Sequence, residues 1–265
     1  MNTLKKWIET IRISLNQQTT YRLNFFLQVI GPGLVFFFVK YSLWNTIYSG
    51  NSETLIAGMN RAQMINYHSW VFVVALLTQG HASFNLSEDI RMGRISTYLI
   101  YPFDFWEFHT AGFLAFQILQ IFIAIISCAV LYFSGLLILP TLSQLGFALA
   151  LCFMVSFFWY FLQYLTGLLA FWLDETWIMR VMLQIVTTFL SGAILPLSIF
   201  PYWLSHSLKN SPFPIMVYYP VRAFMGELPF STAPFLTLLP WMILLFFLNV
   251  LVWKKGLRLY TAAGM

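Results

Sequence analysis

The reactive chemistry in this 265-residue chain is sparse: four histidines, nine carboxylates and two cysteines, beside fourteen lysines and arginines. His68, His81, His109 and His206 lack the His-Glu-x-x-His spacing that puts two imidazoles on one helix face around zinc, so no metal site is expected. No Ser, His and Asp trio for nucleophilic catalysis stands out, and no Gly-x-x-x-x-Gly-Lys-Ser/Thr loop is present to cradle phosphates. The chain is therefore not expected to be an enzyme and has no expected catalytic residue or cofactor of its own. If ATP powers its work, another chain must hydrolyse it. Cys128 and Cys152 lie inside apolar runs and read as packing residues, not as a disulfide framework.

Two places do concentrate polar groups. One is the stretch Ser87–Leu99, with Glu88, Asp89, Arg91 and Arg94. Ser87 followed by two acids reads as a helix start, since its hydroxyl oxygen can accept from a free first-turn N–H and acids favour the positive helix end. A short helix over 87–99 is expected to present a compact charged knob, ended by Tyr101-Pro102. The second place is Gln79 with His81 in an otherwise apolar run. Such groups either join helices or line a path through them, and joining helices is the commoner use. Asp174 and Glu175 follow a long apolar run and read as carboxylates solvated at an interface. A membrane-embedded enzyme acting on lipids is the alternative function, with His81 or His109 and a nearby carboxylate as acid and base. His81 is expected in mid-span and His109 near an interface, which keeps them apart.

The elements that must position these groups follow from composition. Hydrophobic residues make up 60% of the chain, aromatics 19% and charged residues 9%, whereas soluble domains carry about 25% charged residues. A water-exposed surface cannot be covered with so few charges. Six stretches approach the roughly 20 apolar residues a span needs: Asn24–Tyr48, Met64–Leu86, Phe108–Phe133, Leu145–Leu173, Trp177–Leu197 and Phe235–Trp253. The second, with Asn66, His68, Gln79, Gly80 and His81, has the polar load of a helix buried against partners. The expected fold is an all-α membrane protein of six transmembrane helices, in one domain over 1–265, without internal repeats.

Cytoplasmic loops are enriched in Lys and Arg. With both termini inside, Lys5, Lys6, Arg12, Arg22, Arg91, Arg94, Arg180, Lys254, Lys255 and Arg258 lie on the cytoplasmic side against Lys40, Arg61, Lys209 and Arg222 outside, which is ten of the fourteen. The net charge of +5 then faces anionic lipid headgroups, without nucleic acid as a partner. Before the first span, Leu4, Trp7, Ile8, Ile11 and Leu15 recur at helical spacing, so residues 1–20 are expected to form a helix lying in the membrane interface. Between spans five and six, Pro196, Pro201, Pro212, Pro214, Pro220 and Pro229 preclude one continuous helix in an apolar stretch. Residues 198–234 are expected to form short broken or re-entrant helices at the outer leaflet.

The order of these features resembles the membrane subunits of ATP-binding-cassette (ABC) transporters of the type-2 exporter family. The motifs are Ser191-Gly192-Ala193-Ile194-Leu195-Pro196-Leu197 with Phe200-Pro201-Tyr202-Trp203-Leu204, then Tyr219-Pro220 and Phe224-Met225-Gly226. The more specific match is Gly93 to Pro102, which is similar to the pattern Gly-x-(Leu/Ile)-x-x-Tyr-Leu-(Leu/Ile)-x-Pro of a bacterial subgroup of permeases. The resemblance implies a permease subunit of the bacterial cytoplasmic (inner) membrane, paired with a second copy or a related permease and with two ATP-binding subunits that carry ATP and Mg. It implies that residues 1–20 are a connecting helix and that 87–99 is a coupling helix, with Glu88, Asp89, Arg91 and Arg94 meeting the ATPase. It further implies an outer gate at Pro196, Pro201 and Pro220, and efflux of a hydrophobic or amphipathic drug, lipid or glycan.

Overall fold

The computed structural model describes residues 3–20, 22–49, 54–80, 83–100 and 104–260. Among them every regular element is helical, apart from one isolated bridge between Ile56 and Met59. In chain order the helices are α1 (Thr3–Thr20), α2 (Arg22–Tyr48), α3 (Arg61–Thr78), α4 (Ser83–Arg91), α5 (Ile95–Ile100), α6 (Phe105–Phe133), α7 (Leu142–Leu168), α8 (Trp177–Leu190), α9 (Tyr202–Leu208), α10 (Phe213–Met216), α11 (Tyr218–Phe224) and α12 (Ala233–Leu259). Short polar residues start the long helices by capping free first-turn amides. Asn60 and Gln63 exchange bonds reciprocally at α3, and Asp104 with Glu107 and Thr141 with Gln144 form the same box at α6 and α7.

Three helical stretches are long and apolar enough to cross a bilayer: Phe105–Phe133, Leu142–Phe171 and Ala233–Leu259, with mean hydropathies of 2.4, 2.1 and 2.4. The second includes a 3-10 turn, Leu169–Phe171, that prolongs α7. Large apolar side chains such as Phe36, Phe38, Phe122, Ile125, Phe246 and Phe247 point outward and are exposed. In water they would form a patch far beyond what a soluble monomer tolerates. Against acyl chains they lose nothing, because lipid is as apolar as they are. The chain is a multi-pass α-helical membrane protein.

Helix–helix contact is made by small residues and by side-chain bonds to backbone carbonyls. Gly167 of α7 sits under Leu86 of α4, and Gly256 of α12 sits under the Phe171 ring, each so closely that an added Cβ would collide. Asn249 of α12 donates to the Phe161 carbonyl of α7 at 3.0 Å. α3 is buried without interruption from Met64 to Val74, as its polar load implies. Its polar groups hold the α6–α7 connection: Asn66 accepts from the Ile138 amide at 2.9 Å, Ser69 donates to the Leu136 carbonyl at 2.9 Å, and the Trp70 indole donates to the Ile138 carbonyl at 3.3 Å.

Three boundaries differ from the sequence reading. The stretch Met64–Leu86 is not one helix: α3 stops at Thr78, Gln79 leaves helical geometry at φ −101° and ψ 72°, and a new helix starts at Ser83. Ser87 is consequently in mid-helix, not at a cap. The stretch Trp177–Leu197 is helical only to Leu190, and 14 residues rise about 21 Å, less than the ~30 Å hydrocarbon core. Gly192, at φ +84°, then turns the chain. Finally, residues 87–99 are split between α4 and α5 by a turn at Gly93.

Candidate functional site

The turn between α4 and α5 is a Schellman motif. Gly93 takes the left-handed conformation at φ +70°, its N–H donates to the Ile90 carbonyl at 3.2 Å, and the Arg94 N–H donates to the Asp89 carbonyl at 2.9 Å. Only glycine adopts that conformation without Cβ strain. The turn therefore stops α4 and redirects α5 within three residues.

The four charged residues of this stretch do not share one environment. Glu88, Arg91 and Arg94 keep 47%, 42% and 50% of their side chains exposed, while Asp89 keeps 6%. Asp89 faces inward and pins the turn. Its carboxylate accepts from the Arg94 guanidinium at 3.1 Å and from the Tyr98 hydroxyl at 3.0 Å, and His109 Nε2 of α6 lies 3.6 Å away. Burial pushes the Asp89 carboxyl above its ordinary range, and the Tyr98 and Arg94 donors pull it back. Burial and the neighbouring carboxylate both raise the Tyr98 phenol. Arg94 also reaches Glu88 at 3.3 Å, and Arg91 pairs with Glu175 at 3.5 Å. Asp174 and Glu175 are exposed.

The rest of the bundle grips this turn from two sides. Tyr260, just after α12, donates its hydroxyl to the Gly93 carbonyl at 2.5 Å. Phe105 at the start of α6 stacks on Trp253 of α12 at 4.7 Å and 12°. Leu86, Ile90 and Ile95 pack with Tyr160, Tyr164 and Leu168 of α7 in one buried cluster. Beside it α1 lies along α6, tied by Lys6 to Glu107 at 2.8 Å and by Gln18 to the Gly112 carbonyl at 3.4 Å. In α1 the side chains of Leu4 and Ile8 are exposed while Thr10 and Ser14 are buried.

His109 and Asp89 form an acid–base pair that spacing alone did not bring together. Both are buried, and the rings of Tyr98, Phe105, Phe108 and Tyr164 surround the His109 imidazole at centroid distances of 4.4 to 6.5 Å. General acid–base work needs the reacting atom within hydrogen-bond reach. At 3.6 Å the two groups lie beyond that reach. Among the described residues no group of three or more His, Cys, Asp or Glu side chains is placed to hold a metal ion.

A second set of polar groups joins α6 and α8 to the end of α3. Gln79 accepts from Gln184 of α8 at 3.5 Å, and Gln184 also donates to Thr188 at 3.1 Å. The Gln79 carbonyl accepts from Gln120 at 3.2 Å, and Gln117 donates to the Leu77 carbonyl. The break after α3 frees these carbonyls, and the glutamines of α6 satisfy them. His81 lies outside the described residues. Gln184 and Thr188 were readable only as an i, i+4 polar pair in an apolar helix, and Tyr260 had no sequence signal.

The proline-rich segment folds back on the bundle as α9, α10 and α11. Pro196 and Pro220 are buried and Pro201 is exposed. Pro201 precedes α9, and Pro220 occupies the first turn of α11, where no N–H partner is required. Tyr67 of α3 donates to the Gly192 carbonyl at 2.8 Å, the Tyr218 amide to the Ser191 carbonyl at 3.0 Å, and Lys40 of α2 to the Ala193 carbonyl. Trp70 of α3 stacks on Phe224 of α11 at 4.2 Å with the rings 1° from parallel.

A family model described as ABC-2 family transporter protein matches residues 34–264. No curated protein matches the chain.

Proposed function

Because the chain belongs to the ABC-2 transporter family, the membrane permease components of ATP-binding-cassette transporters, we propose that it is the permease subunit of an exporter driven by two separate ATPase subunits. In this reading it dimerises with a second copy or a related permease in the bacterial inner membrane, with both termini cytoplasmic. ATP and Mg are held by the partner chains. The carrying observation is the α4–α5 turn: a short charged projection with exposed Glu88, Arg91 and Arg94, pinned from within by Asp89 and gripped by α6, α7 and α12. A projection so tied passes rigid-body movement of a docked ATPase to the bundle instead of yielding locally. Asp89 then acts as a positioning residue for the contacts that Glu88, Arg91 and Arg94 make.

In the same reading α1 is an interfacial connecting helix, with Leu4 and Ile8 toward lipid. The polar row of Gln79, Gln184 and Thr188 lines the route of a hydrophobic or amphipathic substrate, of the drug, lipid or glycan class. The segment around Pro196, Pro201 and Pro220 forms a re-entrant outer gate.

The test is charge reversal at Arg91→Glu with Arg94→Glu. Both side chains are about half exposed, so Arg91→Glu should change stability by about 0.5 kcal/mol or less, while Arg94→Glu also loses the bond to Asp89 and should cost about 1 kcal/mol. The complex with the cognate ATPase, co-expressed and purified in detergent, should lose most of its substrate-stimulated ATP hydrolysis while the permease keeps its yield. Unchanged stimulation with both charges reversed would remove this turn from the mechanism.

A further inference from the structure

At the end of α8 remote from the coupling turn, α9 and α11 enclose an open cleft of about 360 Å³, within the 300 to 1,000 Å³ range of small-ligand sites. Tyr202, Ser205, His206 and Lys209 recur at i, i+3, i+4 and i+7, so one face of α9 and its C-terminal cap supply one wall. Tyr218 and Tyr219 supply the opposite wall, and Ser198 completes the polar lining over Leu197 and Pro214. The Tyr202 and His206 rings stack at 5.6 Å, which orients the imidazole along the wall. The tie from Tyr218 to Ser191 fixes the far wall to the rest of the bundle.

Among the described residues the lining holds one ammonium, one imidazole, several hydroxyls and no carboxylate. Hydroxyl donors around a cation suit an anion with several acceptor oxygens, since charge-assisted hydrogen bonds are about twice as strong as neutral ones. Tyr202 at the lip and the adjacent Trp203 are 81% and 69% exposed. Tyrosine and tryptophan in that state are the side chains that settle at the headgroup level of a bilayer.

We infer that this cleft binds a phosphate ester, with Lys209 and His206 on the phosphate and the tyrosine rings against the group it carries. Two sources share that chemistry, the headgroup of an anionic phospholipid in the adjoining leaflet and a soluble phosphate ester. The exposed aromatic lip favours the lipid.

Native mass spectrometry of the full-length chain in detergent tests this with phosphatidylglycerol, glycerol phosphate and diacylglycerol as probes. Lys209 and His206 are exposed, so Lys209→Gln and His206→Ala should fold as the wild type does. Phosphatidylglycerol should bind saturably, Lys209→Gln should weaken it about tenfold, His206→Ala should weaken it less, and diacylglycerol should show no dependence on Lys209. Binding of glycerol phosphate that depends on Lys209, without retention of the lipid, would keep the phosphate site and assign it to soluble esters. Equal retention by wild type and both variants would overturn the inference. So would an equal loss on Lys255→Gln, an exposed lysine at the opposite end of the bundle, which would mean diffuse surface charge. The readout involves no ATPase, so its failure leaves the permease reading standing.

Discussion

Removing the Asp89 carboxylate should loosen the coupling turn without unfolding the bundle. The carboxylate accepts one bond from the Tyr98 hydroxyl at 3.0 Å and one from the Arg94 guanidinium at 3.1 Å. A hydrogen bond to a charged group contributes about 1.5 to 3 kcal/mol, and the Arg94 pair is discounted to about 1 kcal/mol or less because that side chain is half exposed. Asp89→Ala should therefore cost about 2 to 3 kcal/mol in local stability. At 1.4 kcal/mol per tenfold, amide exchange across Gly93–Thr97 should speed up about 30-fold to 150-fold. Asp89→Asn should cost less, since an amide oxygen still accepts from Tyr98 and burial already disfavours the ionised carboxyl. Hydrogen–deuterium exchange of the full chain in detergent, read by mass spectrometry, separates the outcomes. Peptides from α7 and α12 should exchange as in the wild type. If the 92–97 peptide of Asp89→Ala were no faster, Asp89 would not pin the turn and the turn would not be a rigid lever.

Tyr260→Phe removes one of the two side-chain donors to the Gly93 carbonyl, the other being Ser96 at 2.9 Å. It should cost about 0.5 to 1.5 kcal/mol, seen as exchange up to about tenfold faster at the turn and as weaker ATPase stimulation in the complex. Gly256→Ala drives a Cβ into the Phe171 ring and should lower stability by about 1 to 3 kcal/mol as an overpacked contact, measured as an earlier loss of monodispersity on heating in detergent. Adding Phe171→Ala should recover part of that loss, and failure to do so would place the strain elsewhere.

How much of the site was legible in the sequence differs residue by residue. Glu88, Arg91 and Arg94 could be picked out because charge is rare in this chain and must face water or a partner. Asp89 has the same composition cue yet points inward, because it follows Leu86 by three residues on the face of α4 that packs into the buried cluster. His109 was visible only as a histidine near an interface. Its approach to Asp89 depends on how α4 packs across α6 and α7, which involves residues far apart in the chain. The break at Gln79 was hidden for a related reason: apolar residues continue through it, and hydropathy does not report where backbone bonds stop. The glutamines that repair it come from α6.

By itself the sequence determined the solvent of this protein. So little charge over so much apolar length can only face lipid, and that obliges every backbone group to find a partner inside the chain, hence helices. Its prolines from Pro196 to Pro229 also determined that no single helix runs through that segment. Only the tertiary structure decided which polar groups meet: Asp89 with Tyr98, Gln79 with Gln184, Tyr260 with Gly93. Hydropathy acts on each residue separately, whereas a hydrogen bond needs two groups within about 3 Å, and between elements that coincidence is set by packing.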